Sequence, residues 1–306
     1  MENNERRVHN RIHSSAGDIA VKTFAIIFIG VIAIACFYPL LMVLSVSLSD
    51  NAVVTKKGFS AIPQAFTLDT YRYLFTRSGD RIARSYIVTI AITVIGTLGA
   101  MLITSMISFA LSIKDLKYRN AISFICNFTI IFSAGLIPWF IVCNNYYHLR
   151  DTYAALILPS MFSVWSMFLL RTYFGSVPVS LYESAKLDGA SWYQIWWKIA
   201  LPLNKTAMLT VGMIYALGYW NEWWNSLMFI DDHRKYPLQY ILYNVMSNVK
   251  AISSGKVPPG AAANIKLPSE TMKMAVTIIT IGPIIFLYPF VQKYFVDGIM
   301  TGAVKE

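Results

Sequence analysis

The chain has 306 residues, 56% of them hydrophobic and only 14% charged, with a mean hydropathy of +0.51. Soluble domains carry about a quarter charged residues, so the composition excludes an ordinary soluble protein and predicts an all-α, polytopic membrane protein. The net charge of +10 is spread through the loops, where anionic lipid and topology account for it better than nucleic acid does.

Residues 1–22 read as a cytoplasmic N-terminus carrying Arg6, Arg7, Arg11 and Lys22. Six apolar runs follow, near 23–46, 86–112, 121–143, 153–172, 206–228 and 274–292. Each is close to the roughly 20 residues that cross a bilayer as helix, and the ten-residue alternation of a membrane barrel is absent. Ala33-Ile34-Ala35-Cys36 faintly resembles a cleavage site, but the apolar run continues to Val46. That is longer than a signal-peptide core, so an uncleaved anchor is predicted. Inside the spans the backbone is expected to be helical, because lipid offers no partner for N–H and C=O groups. Pro39, Pro138, Pro159, Pro283 and Pro289 predict kinks. Every Asp, Glu, Lys, Arg and His falls outside the span cores or at their ends.

Short loops set the orientation. Lys114, Lys117 and Arg119 crowd the second connection, whereas the third holds Arg150. The positive-inside rule then places the N-terminus, the 113–120 loop, the 173–205 segment and the 293–306 tail in the cytoplasm. The long connections 47–85 and 229–273 lie outside, the second with a flexible tip at Ser253-Ser254-Gly255. Cys36, Cys126 and Cys143 have no metal-ligand spacing and imply no disulfide framework. No metal site is predicted.

The 178–203 segment is polar and amphipathic. Pro178 can start a helix with Leu181, Ala185 and Leu187 on an apolar face; Asp188-Gly189 is a turn signal. Ser191 can cap a second amphipathic helix with Trp192, Ile195, Trp196 and Ile199, ending at Leu201-Pro202. On these residues alone, a lever that docks on a soluble partner and a Trp-rich helix lying in the headgroups fit equally.

The spacing Glu183-Ser184-Ala185, Asp188-Gly189-Ala190, Ile199-Ala200-Leu201-Pro202 resembles the EAA signature of binding-protein-dependent ABC importer permeases. Arg171-Thr172-Tyr173-Phe174-Gly175-Ser176-Val177-Pro178, Trp220-Asn221-Glu222-Trp223, Tyr236-Pro237-Leu238-Gln239 and the 292–305 end look like the carbohydrate branch. The chain resembles the second permease subunit of maltose-type oligosaccharide importers over about residues 85–306. Ser184 replaces a motif alanine, and Asn204-Lys205-Thr206 stands where Ser-Lys-Pro is usual.

The resemblance implies a type I importer permease fold and a bacterial cell-membrane location. It implies a homologous second permease, two ATPase subunits that bind ATP and Mg, and an extracytoplasmic substrate-binding protein. Glu183, Ser184, Ala185, Lys186, Asp188, Gly189, Ala190, Leu201 and Pro202 would couple to the ATPase. The tail with Gly298, Gly302, Ala303, Val304 and Lys305 would reach the ATPase interface, and Tyr236, Leu238 and Tyr240 would face the binding protein.

Tyr219, Trp220, Trp223 and Trp224, with Asn221, Glu222 and Asn225 among them, suit either a sugar surface or an interfacial belt. Trp220, Asn221 and Asn225 are candidates for the substrate path. The sequence has no Walker A motif, so ATP hydrolysis is expected on a separate subunit. No proton relay or catalytic set lies within the spans. A permease for peptides or another polar nutrient is the alternative within the class, and a stand-alone membrane enzyme or channel the alternative outside it.

Overall fold

The computed structural model describes residues 16–253 and 270–285. Helices make up the described residues, apart from connecting turns and one isolated bridge between Ser49 and Phe66. Helix α1, Ala16–Ser47, already runs seven residues before the expected span. It is apolar all round and stands clear of the rest of the chain: Val21 is 69% exposed, Ile34 72%. Such a surface suits lipid or another subunit. Packing begins only at its last turn, where Val46 and Ser47 are buried and the Tyr71 hydroxyl donates to Ser47 Oγ at 2.9 Å.

The expected loop 47–85 is largely helical. Asp50 caps α2 (Asn51–Lys57), accepting from Ala52 N and Val53 N. Helix α3 then runs 44 residues, Asp69–Ser112, so the second span is only its latter part. Hydropathy hid the first turns, because Arg72, Asp80, Arg81 and Arg84 share them with an apolar stripe. Leu74, Ile82 and Ser85 are buried there, a spacing that repeats on one helical face.

Three of the expected rods are broken. The third span is α4 (Arg119–Ile131) and α5 (Leu136–Ile141, continued by a π turn to Tyr146), bent by 114°. Gly135 at the break has φ +87°, and Pro138 falls in the first turn of α5, where a missing N–H costs nothing. The fourth is α6 (Ala154–Ile157, with a 3-10 turn through Ser160) and α7 (Val164–Gly175), bent by 52° after Pro159. The fifth ends early: α11 (Lys205–Trp220) stops at Asn221, and α12 (Trp224–Phe229) is separate. Freed backbone groups find side-chain partners, as Ser163 N does in donating to the Tyr215 hydroxyl at 3.0 Å. That is how non-helical backbone persists within a bundle.

Between α7 and α11 lie α8 (Val179–Leu187), α9 (Trp192–Ile195, extended by a π turn to Ala200) and α10 (Leu201–Leu203). Helix α13, Leu238–Ser253, and α14, 270–285, complete the described chain. The described part of the sixth span is helical from 270 to 285, and its expected end at 292 lies outside the described residues. Helices α3, α7 and α11 form the central core. Polar side chains lock it: Thr104 Oγ1 and the Tyr215 hydroxyl are 2.7 Å apart, and Ser108 Oγ donates to the Met167 carbonyl at 2.8 Å. In lipid such bonds contribute roughly 0.5–2 kcal/mol each. The three cysteines are free thiols: Cys143 is buried, Cys36 exposed.

Candidate functional site: the coupling element and the 221–243 cluster

The 178–203 element is anchored by aromatic packing and closed by two capping motifs. Tyr182, 5% exposed, turns the edge of its ring to Phe109 at 5.7 Å and donates its hydroxyl to the Phe174 carbonyl at 3.3 Å. Burial pushes the phenol pKa up to about 12. The helix α8 ends in a Schellman turn, with Ala190 N donating to Ala185 O and Gly189 N to Lys186 O. Gly189 supplies the positive φ, +82°, that this motif requires. Two residues on, Ser191 and Gln194 form a reciprocal capping box that starts α9. Lys186 Nζ lies 4.2 Å from the Trp192 ring centroid and bridges the two helices.

Ile195, Trp196 and Ala200 form the buried face. Trp192, expected with them, is 46% exposed. The residues offered outward are Leu181 at 45% and Leu187 at 89% exposure, with Glu183, Ser184, Lys186, Asp188 and Gly189 also exposed. Ala185, Ala190 and Leu201 are half-buried, and Pro202 is exposed. Tyr182 is the anchor that the sequence reading passed over; a tyrosine inside a polar loop was the available signal. Asn204, which departs from the usual motif, is a buried corner. Its Nδ2 donates to the Ala200 carbonyl at 2.9 Å, where the chain turns by 88° into α11. The result is a two-helix element, capped at its turn, with an exposed leucine knob and charged rim.

The second cluster sits at the other end of α11. Trp220 is buried, its Nε1 donating to the Thr280 carbonyl at 3.4 Å. Asn225 is buried too, and its Nδ2 reaches Glu222 Oε2 at 2.9 Å and Ser160 Oγ at 3.3 Å. Only Asn221 of the three path candidates is exposed, and Gln239 Nε2 donates to its Oδ1 at 2.9 Å. Glu222, grouped in the sequence with the surrounding polar residues, is 8% exposed and accepts from Asn225 N at 2.6 Å. Through Ser160, Asn225 ties the start of α12 to the break in the fourth span.

The described part of the connection beyond, to residue 253, is largely helical, and the rest of its expected flexible tip lies outside the described residues. Leu238 is 1% exposed, packed with Leu74, Ile82, Ala275 and Val276, and Tyr240 is 7% exposed. Tyr236 is half-buried. Lys235 Nζ and Asp151 Oδ2 meet at 2.9 Å; this bond holds the Asp151 carboxyl below its ordinary range and raises the Lys235 ammonium. The tail residues Gly298, Gly302, Ala303, Val304 and Lys305 lie outside the described residues. Among the described residues no cluster of His, Cys, Asp or Glu could hold a metal ion.

Residues 120–301, which include the lever, match the family described as the inner membrane component of binding-protein-dependent transport systems. The chain belongs to that family. It is therefore a transport-system membrane subunit of the ABC permease type, with the all-α fold of a type I importer permease. A curated relative, the polygalacturonan/rhamnogalacturonan transport system permease protein YtcP of Bacillus subtilis, is 36% identical over 94% of this chain and 98% of its own length. Protein LplC of the same organism is 34% identical over 97% and 99%. A solved bacterial ABC transporter involved in importing the acidic polysaccharide alginate contains a chain with TM-score 0.79 and 29% identity. The match covers 92% of this chain and 99% of that one.

Proposed function

We propose that this subunit is the second permease of an ATP-driven importer for acidic, uronate-containing oligosaccharides. It pairs with a homologous permease, rests on two ATPase subunits that carry ATP and Mg, and receives cargo from an extracytoplasmic binding protein. The N-terminus, the 178–203 lever and the C-terminal tail face the cytoplasm of a bacterial cell; the 229–273 connection faces out. Closure of the ATPases pushes the Leu187 knob and its charged rim, and the stiff lever passes that movement through Asn204 into α11 and the central core.

The observation that carries the cargo reading is full-length likeness to a polygalacturonan/rhamnogalacturonan permease, 36% over 94% of this chain. The alginate importer, also named for an acidic polysaccharide, supports it. The test is uptake by the reconstituted transporter with its binding protein in liposomes. Trigalacturonate should enter only when ATP is supplied. Uptake of neutral oligosaccharides or peptides with trigalacturonate excluded would overturn the cargo reading, and ATP-independent flux would overturn the importer reading.

A further inference from the structure

A continuous band of aromatic rings crosses the start of α13. Tyr236, Tyr240 and Tyr243 follow at i, i+4 and i+7, a spacing that keeps them on one face. Ring centroids are 4.6 Å apart for Tyr236 and Tyr240, and 6.1 Å for Tyr240 and Tyr243. Tyr243 stacks on Trp223 at 4.6 Å and 21°, and Trp224 continues the band edge-on to Trp223 at 5.6 Å. Tyr240 is buried and backs the band, while Tyr236, Trp223 and Tyr243 are partly exposed and Trp224 more so.

Polar groups stand at both ends. The exposed Arg81 guanidinium lies 6.0 Å over the Tyr236 ring and forms no salt bridge among the described residues. Toward the other end the exposed Asn221 amide is held by Gln239. Gln239 precedes Tyr243 by four residues, so the amide pair borders the same rings.

Packing alone would call for the rings but not for an exposed guanidinium with no salt bridge among the described residues and a braced, exposed amide beside them. Aromatic faces stack on the C–H faces of sugars, and amides bond their hydroxyls. A guanidinium matches a carboxylate in two parallel hydrogen bonds. We infer that this band is a subsite on the permease itself for a uronate-containing oligosaccharide. Trp223 and Tyr243 stack with sugar rings, the Asn221–Gln239 pair meets hydroxyls, and Arg81 takes a carboxylate. The inference rests on the acidic-oligosaccharide reading above and adds to it a binding site on this chain.

The test uses the assembled four-subunit transporter in nanodiscs, without binding protein. Trigalacturonate and maltotriose, a neutral probe of equal length, are titrated against tryptophan fluorescence. Wild type should bind trigalacturonate, more weakly as salt rises. Arg81→Gln should weaken trigalacturonate about tenfold, the usual size for one lost charge-assisted hydrogen bond, and leave maltotriose unchanged. Arg81→Lys should recover part of the loss, and Tyr243→Leu should weaken both sugars. If wild type imports trigalacturonate while all three variants bind and transport as it does, the subsite is overturned and the importer reading stands. If wild type neither binds nor imports trigalacturonate, both fall. Variants that lose affinity for the unliganded binding protein alone would make the band a protein-docking surface, and the subsite would fall.

Discussion

The ring of Tyr219 stands where a side chain on Gly96 would go: a Cβ there would lie 2.6 Å from the ring. The tyrosine hydroxyl donates to the Ile157 carbonyl at 3.0 Å, so α11 is fixed against α3 and against the broken fourth span at once. Gly96→Ala should destabilise the assembled transporter by about 1–3 kcal/mol, the usual cost of overpacking. Thermal unfolding of the purified complex measures this. Adding Tyr219→Ala should make the Gly96→Ala change nearly neutral; unchanged additivity would show that the ring is not the obstacle.

At the lever, the demand for glycine is conformational rather than spatial. Nothing lies within 4 Å of a Cβ built on Gly189, yet its φ is +82°. A left-handed residue costs roughly 1–2 kcal/mol for an ordinary side chain and less for asparagine. Gly189→Asn should keep most ATP-dependent uptake, whereas Gly189→Val should lose most of it at equal membrane level. Equal uptake by the two variants would remove the Schellman turn from the coupling argument.

Glu222 should tolerate glutamine far better than alanine. Glutamine keeps an acceptor for Asn225 N, while alanine strands a buried donor, at about 1–3 kcal/mol. Melting temperature and uptake of Glu222→Gln and Glu222→Ala, measured together, separate the two. A Glu222→Ala complex as stable as wild type would mean that water takes the carboxylate's place.

The Asp151–Lys235 tie should show its own pH window. A lowered carboxyl pKa gives stability that is present above the unfolded value and lost as pH falls through the folded one. The raised Lys235 pKa gives stability that is present below its unfolded value and lost as pH rises through the folded one. The difference in melting temperature between wild type and Asp151→Asn should therefore hold steady through neutral pH. It should shrink below roughly pH 4, the ordinary carboxylate range, and again in strong alkali. A difference that grows in acid would contradict the assignment.

Much of this was legible in the sequence. Long apolar runs gave the class, and Ser191, Gly189 and Pro178 gave the turns of the lever, because cap and turn chemistry is local. What escaped was non-local. The first turns of α3 are amphipathic rather than apolar, so a hydropathy reading made them loop. The break after Pro159 and the stop at Asn221 depend on partners such as Tyr215 and Glu222 that sequence spacing does not bring together. Trp192 and Tyr182 escaped for the same reason: which face a short helix buries is set by Phe109, far away in the chain.

Helix α1 has a consequence for how the subunit matures. Among the described residues, none of its most apolar 18-residue stretch is buried. It can enter the bilayer and settle before anything else has packed. Lipid tails are as apolar as leucine, so whatever later covers α1 gains little from hiding it and must be chosen by shape and close contact. A copy without companions is then solvated by lipid rather than driven to aggregate.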